Sequence, residues 1–167
     1  MGRIGHAVAR RGTAFDMQVS YHKRKPVEGS PYLYTESVHG LAQWADFLIV
    51  TVAGGEQTRH LIDANVLDAL GPTAFLINVA RGTVVDEAAL TDALAKRRIA
   101  GAGLDVFENE PTVPAALMAL DNVVLTPHTA SATHETRRAM ADLVLENLES
   151  FFATGAVRTP VPGTPGP

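Results

Sequence analysis

The chain has no cysteine among its 167 residues. That absence excludes disulfides, thiolate metal sites and cysteine nucleophiles together, and it fits a protein of a reducing compartment. Nor does the sequence hold the roughly 20-residue apolar run needed to cross a bilayer. Its longest strongly apolar stretch, residues 47–53, is interrupted by Thr51 and has the length of a buried strand. A secretory leader is not expected either, because Arg3, His6, Arg10 and Arg11 are scattered through the start and no apolar core follows. An excess of positive charge is lacking as well. The formal net charge of -4 gives no field to draw nucleic acid or anionic lipid. These absences lead to the expectation of a soluble, cytoplasmic protein with neither a membrane nor a nucleic-acid partner. What is present is ordinary: hydrophobic residues make up 46% and charged residues 19%, the balance of a globular domain. The length is most simply read as one such domain.

Short apolar runs alternate with helical patterns. Strands are predicted at residues 18–22, 32–34, 47–52, 74–79, 100–106 and 123–125, and helices at 4–13, 38–44, 63–70, 87–96 and 133–152. Asp86 is a plausible N-cap, and Gly71-Pro72 a strong stop after Leu70. The longer strands are nearly continuous in apolar residues, as parallel strands covered on both faces are. Alternation of this kind implies α/β architecture, a doubly wound parallel sheet with right-handed crossovers. Ligands bind such sheets beyond the carboxyl ends of the strands, so those ends are where chemistry should be sought.

The chain opens Met1-Gly2-Arg3-Ile4-Gly5 and runs into a helix. This fits the last positions of a G-x-G-x-x-G loop in a Rossmann-type dinucleotide-binding domain. Gly2 would let the backbone approach a pyrophosphate, Gly5 would permit close helix–strand packing, and the helix start at Arg3 and Ile4 would aim N–H groups at the phosphates. A chance Gly-x-x-Gly before a helix is the alternative. The first glycine and the preceding strand do not precede Met1, so the expectation is an N-terminally truncated domain with an open hydrophobic slot and unpaired backbone groups. The fingerprint also expects an acid at the end of the second strand. Here that strand ends Tyr21-His22-Lys23-Arg24-Lys25, without one. Lys23 and Arg24 would attract a 2′-phosphate that a carboxylate would repel, which favours NADP(H) with NAD(H) possible. A solvated basic loop is the bland alternative.

Three later strand ends carry the motifs Asn78-Val79-Ala80-Arg81-Gly82, Asp105-Val106-Phe107-Glu108-Asn109-Glu110-Pro111 and Thr126-Pro127-His128-Thr129-Ala130. In this order and spacing the chain resembles the D-isomer-specific 2-hydroxyacid dehydrogenases, and within them the glyoxylate/hydroxypyruvate reductases. The resemblance runs from Met1 to about Pro162. It implies that Arg81 binds substrate, that His128 is the acid/base, and that Glu110 is the partner of that histidine. It also implies that Asp105 holds the nicotinamide carboxamide, while Ala80 and Val52 supply backbone and apolar contacts to the cofactor. The chemistry suits these residue types. Reduction of a 2-oxo acid needs a fixed cation for the carboxylate and carbonyl, and a group near neutral pKa to give the alkoxide its proton. Taken singly, Arg81 reads equally as a loop arginine, Asp105 as a turn-forming acid and His128 as a loop histidine.

The resemblance further implies a nucleotide-binding domain over residues 1–154, an extended Pro/Gly-rich tail over 155–167, a substrate domain absent from this chain, and a homodimer. The implied substrate is a small 2-oxo acid, glyoxylate or hydroxypyruvate first and 2-oxogluconate next. Alternatives are a non-catalytic dinucleotide-sensing module of the co-repressor type, or an inactive truncated remnant. Departures from the family pattern are Asp16, where a turn glycine is usual, and Thr129-Ala130 after the histidine. The remaining histidines (His6, His22, His39, His60, His134) are expected on helix faces, near caps or in loops, with no metal site. Trp44 and Phe47 are expected in the core, and Met140, Leu143, Val144, Leu148 and Phe151 on a partly uncovered face of the last helix.

Overall fold

A computed structural model describes residues 1–161, so the last part of the predicted tail, residues 162–167, lies outside the described residues. The chain forms two compact units, Met1–Pro127 and His128–Pro167. In the first, α1 (Arg3–Thr13) leads to β1 (Ser20–Tyr21) and β2 (Leu33–Tyr34), then α2 (Val38–Trp44), β3 (Phe47–Val50) and α3 (Ala64–Leu70). It continues with β4 (Phe75–Asn78), α4 (Glu87–Ala95), β5 (Gly101–Leu104), the short α5 (Ala115–Met118) and β6 (Val123–Leu125). The predicted strands are all present, β6 with the expected bounds and the other five shorter, and α5 was not expected. One 3-10 turn follows β3 at Glu56–Thr58 and another follows β4 at Gly82–Val84.

All strand pairing is parallel, in two pieces: β1 with β2, and β3-β4-β5-β6 in that order. The core lies on one face of the four-stranded piece, where Leu67, Leu76, Val84, Leu90, Leu94, Ile99 and Leu117 are fully buried. The expectation that the strands are covered on both faces holds only in part. Along β3, Leu48 and Val50 are buried while Phe47 and Ile49 are exposed, an alternation that marks one open face. Across that face Phe47 and Phe75 are register partners with nearly parallel rings, centroids 5.3 Å apart. The next register partner, Gly101, leaves room for the Phe75 ring, since a Cβ there would come within 3.2 Å of it. Phe47 and Trp44 are therefore not core residues, as their types suggested. They are 48% and 45% exposed and line a cleft instead.

The local stops agree with the residue chemistry. Asp63 and Asp86 cap α3 and α4 through their side chains, and Gly71 ends α3 at φ 81°. Asp16 has φ 59°, the left-handed conformation that glycine would adopt without strain.

In the second unit, α6 (His134–Thr154) is capped by Thr133, whose hydroxyl accepts from the Thr136 N–H, and closed by Gly155 at φ 77°. Met140, Leu143, Val144, Leu148 and Phe151 are all exposed, as their pattern suggested. Residues 156–159 lie back against this helix. Arg158 pairs with Glu146 at 2.7 Å, and Asn147 bonds both the backbone and the hydroxyl of Thr159.

Candidate functional site

A cavity of about 720 Å³ in the first unit is lined by the start of α1, by β1 with the loop after it, and by β3 with the loop after it. Both sheet pieces border it. Met1, Gly2, Gly5, Lys23, Arg24 and Val52 lie on this cavity. Four of the expected cofactor contacts, Gly2, Lys23, Arg24 and Val52, are thus brought to one place. Arg3 and Ile4 begin α1 beside it.

The helix end is built for an anion. Gly2 is the N-cap, contributes no side chain to the first-turn N–H groups, and no acid lies in that turn. Open space surrounds Gly2, with nothing within 4 Å of a Cβ placed there. Gly5 is different: its Cβ would come within 2.8 Å of the Met1 side chain and 3.3 Å of Thr51 Oγ1 at the end of β3. Gly2 leaves room and Gly5 lets the helix pack closely, the roles the fingerprint gives its second and third glycines.

The basic loop after β1 is held at several points. Tyr21 Oη accepts from the Val27 N–H at 2.8 Å, Tyr34 Oη donates to the Lys23 carbonyl at 3.1 Å, and His22 Nδ1 lies 3.0 Å from the Thr35 carbonyl. Lys23 and Arg24 themselves remain exposed. Arg24 Nη1 donates to Gln57 Oε1 at 2.9 Å, across to the loop after β3.

Arg81 follows β4 on a turn organised by Asn78. The Asn78 side chain is 1% exposed, donates to the Arg81 carbonyl at 3.1 Å and accepts from the Ala80 N–H at 3.0 Å. Ala80 is buried, and its carbonyl accepts from Arg81 Nη1 at 2.6 Å. The stem of Arg81 lies over Gly54, where a Cβ would come within 2.6 Å of Arg81 Cγ. Arg81 thereby sits against the Gly54-Gly55 loop that borders the cavity. Asn78 was missed in the sequence. A polar residue ending an apolar strand was the available signal.

Asp105 ends β5, is 6% exposed, and accepts from Thr126 Oγ1 at 2.5 Å. Glu110 is exposed, accepts from the Phe107 N–H at 3.0 Å, and precedes a cis peptide bond to Pro111. Between them, Glu108 joins two strand-end loops and the start of α4. It pairs with Arg59 at 2.8 Å and with His60 Nε2 at 3.0 Å, while its own N–H donates to Glu87 at 3.1 Å. The hydrogen bond from the His60 ring is the largest influence holding the Glu108 carboxyl below the usual carboxylate range; partial burial opposes it and Arg59 adds to it. His60 is thus a brace between loops, a role that its position alone did not disclose. His128 opens the second unit at φ 53°, before the turn closed by the Ala132 N–H on the Thr129 carbonyl.

Residues 1–130 match the model of the D-isomer specific 2-hydroxyacid dehydrogenase NAD-binding domain. The chain belongs to that family. Among its relatives is the 2-ketogluconate reductase of Gluconobacter oxydans, 50% identical over 160 residues that cover 96% of this chain and 52% of the relative. A glyoxylate/hydroxypyruvate reductase of Arabidopsis thaliana is also 50% identical, covering 96% and 51%. Among solved structures, the NADPH-dependent glyoxylate/hydroxypyruvate reductase of Sinorhizobium meliloti, crystallised with NADP and malonate, superposes with a TM-score of 0.96 at 54% identity. That match covers 99% of this chain and 52% of the other. The chain therefore spans about half the length of the dehydrogenases it matches.

The residues present fit the dinucleotide of that family. An uncapped helix N-terminus, a glycine with open space above it, and two cations at the end of β1 border one cavity. Among the described residues, no group of three or more acidic or histidine side chains could hold a metal ion.

Proposed function

We propose that this chain is the cofactor-binding part of an NADPH-dependent reductase that converts a small 2-oxo acid, glyoxylate or hydroxypyruvate, to the D-2-hydroxy acid. The observation that carries the reading is the shared cavity of the α1 N-terminus and the Lys23-Arg24 pair, with no acid at the end of β1. A phosphate pair would sit at Gly2 and the first-turn N–H groups of Arg3 and Ile4, and a 2′-phosphate at Lys23 and Arg24. The Sinorhizobium enzyme, NADPH-dependent and bound to NADP, supports the same preference. NADH remains a possible second cofactor. Relatives named for glyoxylate and hydroxypyruvate support the substrate class, with 2-oxogluconate next to them.

Bound NADPH supplies the hydride. The chain's own residues do the rest. Arg81 holds the substrate carboxylate and polarises the carbonyl with a charge it does not lose. Its guanidinium is pre-positioned by the Ala80 carbonyl and the stem by Gly54. By resemblance to the family, His128 would give the developing alkoxide its proton, and Glu110 is the residue assigned as its partner. The left-handed backbone at His128 costs about 1–3 kcal/mol, a strain that proteins keep where a side chain must be aimed. Asp105, buried and held by Thr126, fixes the nicotinamide carboxamide. Val52 and Ala80 complete the cofactor wall. By resemblance to the family, the working protein is read as a cytoplasmic homodimer.

The test is turnover of glyoxylate and hydroxypyruvate by Arg81→Ala and His128→Ala variants. Loss of about 10²–10⁴ in rate with NADPH binding retained is expected. Intact turnover of every 2-oxo acid in either variant contradicts the assignment.

A further inference from the structure

Resting on the NADPH reading above, we infer that Gln57 is a specificity-determining residue. It orients Arg24 toward the 2′-phosphate while leaving the guanidinium's charge unspent. Arg24 and Gln57 are 33 residues apart in the chain, on different strand-end loops, and meet across the cavity. A guanidinium can only donate, so the acceptor is the Gln57 amide oxygen.

The loop that presents Gln57 is pinned. Gly55, at φ 153°, begins a 3-10 turn, and its carbonyl accepts from the Thr58 N–H at 3.0 Å. The Thr58 hydroxyl donates to the carbonyls of Ala53 at 2.9 Å and Gly55 at 3.1 Å. Arg24, by contrast, is a long, exposed side chain on a bend. An arginine of this kind loses substantial rotamer freedom when it grips a ligand. A fixed acceptor on one N–H removes part of that cost before the ligand arrives and leaves the other N–H groups to meet phosphate oxygens.

The neutrality of the acceptor matters. Glu56 is its immediate neighbour, yet the hydrogen bond goes to the uncharged amide of Gln57. A carboxylate in the same place would orient Arg24 equally well. It would also form an ion pair with it and repel the doubly charged 2′-phosphate. NADH has only a hydroxyl at that position and would not feel the difference. Gln57 is therefore a positioning residue that acts on one cofactor and not the other.

The experiment is a fluorescence titration of the protein with NADPH and, separately, NADH. It is run for the wild type, Gln57→Leu, Gln57→Glu, Arg24→Ala, and Gln57→Leu combined with Arg24→Ala. Gln57→Leu is expected to weaken NADPH by about three- to tenfold, the worth of one orienting hydrogen bond, with NADH unchanged. Gln57→Glu is expected to weaken NADPH further than Gln57→Leu, again sparing NADH. In the Arg24→Ala background, Gln57→Leu should have no further effect. Parallel weakening of both cofactors would reduce Gln57 to a loop-building residue and overturn the inference. So would an unchanged NADPH affinity in either Gln57 variant, or an effect that persists without Arg24. A wild type that does not prefer NADPH overturns the cofactor reading itself, and it is seen before any variant is compared.

Discussion

Gly82 lies so close to Phe107 that a Cβ at position 82 would fall 1.9 Å from the Phe107 carbonyl carbon. The turn that follows Arg81 therefore rests directly on the backbone that leads to Glu110. Neighbouring strand ends are joined here without an intervening side chain, and two of the three proposed active-site groups inherit their placement from that contact. Backbone cannot step aside as a flexible side chain can. Gly82→Ala is expected to cost about 3 kcal/mol in unfolding free energy, measured by urea denaturation, and to lower turnover further by separating the two loops. A variant as stable as the wild type would contradict the packing.

Gly2 offers the opposite case. Its φ is -96° and a Cβ would meet open space, so Gly2→Ala should change stability by no more than about 0.5 kcal/mol. In the proposed cofactor site the added methyl would stand where the pyrophosphate approaches. Cofactor affinity should fall about tenfold or more for NADPH and NADH alike, the price of losing one close backbone contact. Unchanged affinity would move the phosphates away from the α1 N-terminus.

Gly54→Ala places a methyl against the stem of Arg81, 2.6 Å from Cγ. The arginine can swing away, so the fold should survive. The KM for the 2-oxo acid is expected to rise about tenfold while NADPH binding changes little, because the proposal assigns the displaced group to the substrate. A KM that stays put would show that Arg81 is not positioned by this glycine.

Glu108 links stability to pH. Its carboxyl titrates below the usual range because the His60 ring donates to it and Arg59 lies beside it, against an opposing effect of burial. A depressed folded pKa contributes stability above the unfolded pKa and loses it as pH falls through the folded value. Glu108→Gln should therefore lower stability by about 1 kcal/mol at neutral pH, with the difference from wild type fading in acid. Urea melts across the acid range check this. A difference that grows as pH falls would reverse the sign and contradict the assignment.

Most of the architecture was legible in the sequence, because its signals are local. Asp63 and Asp86 cap as their type suggests, Gly71 stops α3, and the strand ends carry the polar residues that break the apolar runs. What the sequence hid is non-local. Trp44 and Phe47 look like core by composition, and only the sheet's division into two pieces shows why they border a cavity. Asn78, His60 and Glu108 are unremarkable by type, and their roles arise from contacts between loops distant in the chain. The Arg24–Gln57 bond is of the same kind. Arg81, Glu110 and His128 could be named only because three motifs recur in one order; no single one of them identifies its chemistry.

The most direct measurement is the affinity of the wild-type protein for NADPH and for NADH, followed by the fluorescence of the reduced cofactor. Saturable binding with NADPH the tighter of the two is the predicted result, because the proposal places a 2′-phosphate, which NADH lacks, at Lys23 and Arg24. Equal or tighter binding of NADH, or no binding of either, would contradict it.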